Sequence, residues 1–264
     1  MVTFSFNPTG TGAVDRATLL AAFDAELRPG LFKDYGPNGL QVEGREKISK
    51  IVSGVTASRA LIDAAVAAGA DAIFVHHGLF WRGQSGCVTG WMKERLKRLL
   101  AHEVNLFAYH LPLDAHPTLG NNAQLGERLG LRTTARFGEQ ELGFLGEMVS
   151  GGAFADAGAL AARVEQVLAR SVTLVGPVRG AVERVAWCSG GAQGYFEAAI
   201  EAGAQAFITG EISEPQAHLA RECGVSFLAC GHHATERYGA PAMAAHVAAQ
   251  YGIAHEFIDI ENPA

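Results

Sequence analysis

Hydrophobic and polar positions along this 264-residue chain follow two alternating periods. Short apolar runs rich in Val, Ile and Phe read as strands buried on both faces. Each is followed by a stretch whose apolar positions return every three or four residues, as on one face of a helix. Residues 14–27 carry Val14, Leu19, Leu20, Phe23 and Leu27 at helical spacing, and Pro29-Gly30 ends the pattern. The spacing then predicts strand 48–55, helix 58–68, strand 71–76, helix 91–102, strand 104–109 and helix 117–129. Further on it predicts strand 182–188, helix 195–202, strand 206–209, helix 214–223, strand 225–230, helix 234–249 and a last strand near 254–260. Such alternation implies an α/β fold: a mostly parallel sheet with right-handed crossovers and helices on both faces.

Between 132 and 178 the rhythm changes. Strand-like pieces at 133–137, 142–149 and 172–175 flank one amphipathic helix at 157–168, which predicts a small inserted α+β segment. The expected organisation is a single globular unit with a flexible tail at 1–13, a first α/β repeat at 46–130, the inserted segment at 131–180 and a second repeat at 181–264. Residues 34–44 hold Gly-Pro and Asn-Gly turn signals close together, so they form a shaped loop, either a plain connector or the wall of a site.

The second half resembles the first. Ala68-Gly-Ala-Asp-Ala-Ile-Phe-Val75 matches Ala202-Gly-Ala-Gln-Ala-Phe-Ile-Thr209 at an offset of 134, and each is preceded by a strand ending near Ser-Gly, at Ser53-Gly54 and Ser189-Gly190. This is an internal duplication of βαβ units. Two copies would present their strand ends, where open α/β sheets keep ligands, to a shared cleft.

Chemistry-bearing residues gather at those strand ends. The run at 72–75 leads into His76 and His77; the next strand is followed by His110-Leu-Pro-Leu-Asp114. The corresponding strand of the second copy is followed by Gly231-His-His-Ala-Thr-Glu236. Both copies therefore place a histidine and, four residues on, a carboxylate at one point of the pattern. In the second copy this spacing sets His232 and Glu236 on one helical face. Pro112 favours a loop in the first. Three imidazoles and two carboxylates from His76, His77, Asp114, His232 and Glu236 are one ligand too many for an ordinary single-zinc site; the set suits two bridged divalent metals. Zn, Fe, Mn, Co and Ni all accept such donors. Six of the ten histidines fall in or beside these motifs. His110, the counterpart of His232, and Glu211, the counterpart of His77, should face the cleft as proton carriers or as partners of the ligands. His233 and Arg237 neighbour the ligands and could hold an anionic substrate. His116 reads as a loop histidine, and His102, His218, His246 and His255 read as surface residues.

Composition narrows the remaining classes. A hydrophobic fraction of 48%, a charge of -6 and a pI near 5.9 describe a globular chain without a basic footprint for nucleic acid. The run Lys93-Glu-Arg-Leu-Lys-Arg98 reads as the solvated face of a helix. No apolar run is long enough for a membrane span and no signal peptide is evident, so the expected compartment is the cytoplasm. Cys87, Cys188, Cys223 and Cys230 form no CxxC pair and read as free thiols, Cys188 and Cys230 within apolar strand runs.

The ordered motifs Asp34-Tyr-Gly-Pro-Asn-Gly-Leu-Gln-Val42, Gly54-Val-Thr-Ala-Ser58, Val75-His-His-Gly78, His110-Leu-Pro-Leu-Asp-Ala115, Asn121-Asn122, Thr209-Gly-Glu211 and Gly231-His-His-Ala-Thr-Glu-Arg237 span nearly the whole chain. They resemble the NIF-three-like family, whose members carry the names GTP cyclohydrolase 1 type 2 homolog or dinuclear metal centre hexameric protein. The likeness is to compact bacterial members without a large inserted domain. It implies a two-metal site on the five ligands chosen above, and a ring-shaped homohexamer with the metals facing an internal cavity. It also implies a hydrolase that opens the guanine imidazole ring of GTP by attack of a metal-bound hydroxide at C8, with His110, His233 or Glu211 moving protons. The chain has no Walker-type loop, so a nucleotide triphosphate would rely on Arg237, Arg82 or Lys93, or on a neighbouring subunit. Two other functions remain open: a metal storage or delivery protein, and a hexameric scaffold or regulatory protein with structural metals.

Overall fold

The computed structural model describes residues 12–264, so most of the tail expected at 1–13 lies outside the described residues. The described residues form two compact units, one made of 12–120 together with 239–261, the other of 121–238 together with 262–264. The C-terminal helix and strand, expected in the second repeat, thus complete the first unit.

In the first unit β1 (Val14–Asp15) precedes α1 (Arg16–Leu27), then come β2 (Gly39–Val42), β3 (Lys47–Ile48), β4 (Lys50–Thr56), α2 (Arg59–Ala67), β5 (Ala72–His77), α3 (Gly90–Ala101), β6 (Asn105–Ala108) and α4 (Leu111–Ala115). The helix expected from 14 starts at Arg16 because Val14 and Asp15 pair with Ile48 and Lys47 of β3. Part of the loop expected at 34–44 is β2, an edge strand antiparallel to β6. α4 forms despite Pro112, which sits in the first turn, where a missing N–H leaves no helical bond unmade.

The second unit continues with α5 (Asn121–Leu129), β7 (Leu131–Phe137), β8 (Gly143–Met148), α6 (Ala157–Leu168), β9 (Thr173–Val175), β10 (Val185–Trp187), α7 (Phe196–Glu201), β11 (Ala206–Thr209), α8 (Glu214–Cys223), β12 (Ser226–Ala229) and α9 (His232–Thr235). α10 (Gly239–Tyr251) and β13 (Ala254–Phe257) return to the first unit. The single helix expected at 234–249 is two helices. A continuous one would put Pro241 in its interior, where the ring meets the carbonyl of the preceding turn; the chain turns after Thr235 and restarts at Gly239.

The strands form two main sheets rather than one. The first has the order β13-β4-β5-β6-β2, parallel except for β2. The second has the order β7-β8-β10-β11-β12-β9, with only β10, β11 and β12 parallel to one another. Residues 131–180 therefore supply edge strands on both sides of the second sheet, covering backbone that would otherwise be open. The duplication extends to strand register. Ile51 pairs with Ala72 and Val185 with Ala206, each residue offset by 134; Ala72 pairs with Asn105 and Ala206 with Ser226. Only the Ser-Gly matching needs correction: Ser53-Gly54 lies inside β4, whereas Ser189-Gly190 lies beyond β10.

Side-chain alternation sorts the first sheet's core. Ile51, Phe74 and Phe107 face α1 and α10, while Val52, Ile73, Val75 and Leu106 face α2 and α3. In the second sheet Val185, Trp187, Ile208 and Leu228 meet α5 and α6, and Phe207 and Phe227 meet Phe196 of α7. Cys188 and Cys230 are buried free thiols; Cys87 and Cys223 are exposed ones. His255, expected at the surface, is buried because β13 is paired along β4, where its Nε2 lies 2.8 Å from Ser53 Oγ. No helix of the described residues is long and apolar enough to cross a membrane.

Candidate metal centre

In the first unit the buried parallel strand β5 delivers His76 and His77 at its C-terminal end, with ring centroids 4.4 Å apart. His76 is fully buried, and its Nδ1 lies 3.1 Å from the Tyr109 carbonyl. A carbonyl only accepts, so Nδ1 carries a proton and Nε2 is the nitrogen turned away from Tyr109. That Nε2 lies 3.5 Å from Asp114 Oδ1, itself buried on α4. A ring nitrogen and a carboxylate oxygen thus converge, an arrangement that a shared cation would stabilise. Thr56 Oγ1 holds His77 Nδ1 at 3.0 Å, which makes Nε2 the nitrogen His77 can offer. One nitrogen each from His76, His77 and His110 lies within 4.8 Å of the others. His110 therefore stands among the donors of the first unit.

The loop after α1 closes round this cluster. Asp34 Oδ1 lies 2.7 Å from His110 Nδ1, and Asn38 Oδ1 accepts the His110 backbone N–H at 2.7 Å. Burial of Asp34 works against its ionisation, but His110, Asn38 and the Tyr35 N–H outweigh it and bring the carboxyl down to about 2. Trp81 stands edge-on to His110 at 5.0 Å between ring centroids. A small recess beside His76 and His110 is lined also by Asn38, Gln41, Gly78 and Trp81.

In the second unit His232 opens α9, and Glu236 caps its end. Glu236 Oε2 lies 3.3 Å from His232 Nε2, and Glu211 Oε1 lies 2.7 Å from its Nδ1. The hydrogen bond to Glu236 outweighs burial and, with Glu211, pushes His232 up to about 9. The proton held there marks where a metal cation would find an imidazole and a carboxylate already converging. Gly190 makes the close approach of Glu236 feasible: its φ is +70°, and a side chain there would overlap the carboxylate. Its carbonyl accepts from Gly210 N and Thr209 Oγ1, and its N–H donates to Thr235 Oγ1 at 2.9 Å. Asn122 Oδ1 receives the Ser189 N–H at 2.8 Å, fixing the turn from below.

A family model described as Duf34/NIF3 (NGG1p interacting factor 3) matches residues 14–263. The chain belongs to this family. It is 54% identical over 249 residues to the GTP cyclohydrolase 1 type 2 homolog of Neisseria meningitidis serogroup A, covering 94% of this chain and 99% of that one. Among solved structures, protein ybgI, itself described as of unknown function, aligns with a TM-score of 0.89 and 46% identity over 95% of this chain and 100% of its own. TTHA1606 from Thermus thermophilus aligns with a TM-score of 0.81 and 32% identity over 95% and 99%.

Within each unit of this Duf34/NIF3 chain, the residues singled out in sequence cluster as follows. His76, His77, His110 and Asp114 meet in the first, and His232, Glu236 and Glu211 meet in the second. His233 is buried, with its N–H donating to the Ala264 carbonyl at 3.1 Å. Arg237 is committed to the Leu168 carbonyl and lies against the Tyr238 ring, and Arg82 donates to the Asp34 carbonyl. Sequence reasoning missed Asp34, Asn38, Thr56, Gly190 and Thr235. Asp34 opens one of the ordered motifs, and its turn chemistry was the one available signal.

Proposed function

We propose that this Duf34/NIF3 protein is a dinuclear, divalent-metal-dependent hydrolase acting on a purine or a related heterocyclic or amide-type carbon, as the name of its relatives suggests for GTP. His76, His77 and Asp114 of the first unit and His232 and Glu236 of the second would hold the two ions. Nitrogen and carboxylate donors of this kind suit Zn, Fe, Mn, Co or Ni. Bound there, two such ions would activate water at neutral pH and stabilise charge developing at the attacked carbon.

The observation that carries this reading is the His76–Asp114 gap: Nε2 of a buried imidazole whose Nδ1 is held by the Tyr109 carbonyl lies 3.5 Å from a buried carboxylate oxygen. The chain's own part is to hold donors and move protons. Thr56 and Tyr109 orient the two β5 histidines, and Glu211 orients His232. His110, Glu211 and His233 are the proposed proton carriers. The proposal includes the homohexameric ring implied by the resemblance, which light scattering checks directly, and a cytoplasmic location.

The test begins with elemental analysis of untagged protein. About two metals per chain, falling sharply in Asp114→Ala and Glu236→Ala, support the centre; metal content indifferent to both substitutions removes it. The fully metallated protein is then offered GTP and a panel of nucleotides, amides and phosphoesters. Turnover of none of them ends the hydrolase reading.

A further inference from the structure

Asp34 opens the loop that carries β2, far in sequence from the histidines, yet its side chain is only 4% exposed. It is surrounded by donors. Oδ1 receives the Tyr35 N–H at 2.6 Å and lies 2.7 Å from His110 Nδ1; Oδ2 receives Asn38 Nδ2 and the Leu111 N–H, both at 2.9 Å. Asn38 Oδ1 in turn takes the His110 N–H. Ring and backbone of His110 are thus pinned from one short stretch. That stretch is itself anchored, because Arg82 donates to the Asp34 carbonyl and Gly36 is packed against the Phe80 carbonyl too closely for any side chain.

An ionised carboxylate accepts and cannot donate, so its neighbour Nδ1 must carry the hydrogen. With Nδ1 held by Asp34, Nε2 is the nitrogen His110 has left to offer, and one nitrogen each of His110, His76 and His77 lies within 4.8 Å of the others. We propose that Asp34 is a positioning residue that fixes His110 as the Nδ1–H tautomer, so that Nε2 is the nitrogen His110 presents to the water or substrate group handled beside His76 and His77. The use made of that nitrogen rests on the hydrolytic reading of the centre; the tautomer does not. Carboxylate–imidazole pairs set the acceptor nitrogen in this way wherever a histidine must work in one orientation. The five metal ligands need no contribution from Asp34, since it touches none of them through the bonds described.

The experiment uses ¹⁵N-histidine-labelled, zinc-loaded protein. Long-range proton–nitrogen spectra distinguish the two tautomers, and the His110 signal is assigned by its loss in His110→Gln. Wild type is expected to show His110 with its proton on Nδ1. In Asp34→Asn and Asp34→Ala, which offer no charged acceptor, the Nδ1–H population is expected to fall while zinc per chain stays at the wild-type value. A shift in either variant supports the proposal. A wild-type His110 that carries its proton on Nε2 or on both nitrogens overturns it, as does an unchanged Nδ1–H population in both variants. With any substrate that is turned over, kcat in Asp34→Asn is expected to fall on the order of 100-fold with KM little changed. The spectra need no substrate, so failure of the hydrolase reading and failure of the Asp34 assignment are read from different experiments.

Discussion

Glu211 and His232 are 2.7 Å apart, and Glu211 follows β11 at the position that His77 holds at the end of β5. One copy of the duplicated strand end therefore offers a nitrogen donor, and the other offers a carboxylate that orients a donor. A ligand histidine whose second nitrogen is held by a carboxylate is both fixed in orientation and more basic. Glu211→Gln keeps the shape and removes the charge. Metal affinity is expected to weaken about 10- to 100-fold, with little change in thermal stability because Glu211 is largely exposed. Competition with a chromophoric chelator measures it; unchanged affinity would detach Glu211 from the centre.

Gly190 is tightly restricted within the second unit's cluster. Its φ of +70° disfavours any side chain, and the space a methyl would take is filled by the Glu236 carboxylate. Gly190→Ala is expected to destabilise the fold by about 1–3 kcal/mol. It should also displace Glu236, lowering metal content. Denaturant melts and elemental analysis read the two effects separately. A variant of normal stability and full metal content would mean that the turn relaxes without moving Glu236.

These two examples show why the site was only partly legible in the sequence. The proposed ligands lie at the ends of apolar runs, and a duplicated pattern marks both ends, so the strand-end histidines and carboxylates stand out. β11 and α8 were read with their observed bounds because an unbroken apolar run and a Ser213-Glu-Pro start leave little choice. Asp34, Thr56 and Gly190 act through partners distant in sequence, and no local period records that. The division into two sheets was hidden for the same reason: β9 pairs with β12 more than fifty residues away, and β13 with β4 about two hundred away. Pro241, in the first turn of α10, is a local signal against one continuous helix over 234–249.

Asp71 anchors the other end of β5. It is 6% exposed and accepts from Arg45 Nη1 at 2.9 Å, Ser49 N at 2.8 Å, Ser49 Oγ at 2.6 Å and Lys50 N at 3.2 Å. These bonds lock the start of β5 to the start of β4, and so set the register that carries His76 and His77 to their places. Asp71→Ala removes the buried acceptor of these partly exposed donors, a loss of roughly 1–3 kcal/mol. Equilibrium unfolding is expected to show it, with metal content per folded chain unchanged. A loss under about 0.5 kcal/mol would place Asp71 with ordinary surface residues.

His255 gives the fold a pH dependence of known sign. Burial of its ring, opposed only in part by Glu256, lowers it from 6.5 to about 4. Its Nε2 meets Ser53 Oγ at 2.8 Å. Between these two pH values the unfolded chain binds a proton that the folded chain refuses, so stability rises with pH across this window. The contribution is complete above about pH 6.5, shrinks as the pH falls, and has been lost below about pH 4, a total of about 3 kcal/mol. Acid protonation of other groups acts at the same time, so the test is a difference. Unfolding free energies of wild type and His255→Asn are measured from pH 7.5 to 4. The wild type is expected to lose stability more steeply between 6.5 and 4, the gap approaching that value at the acid end. Parallel curves would show that His255 takes up its proton without leaving the core.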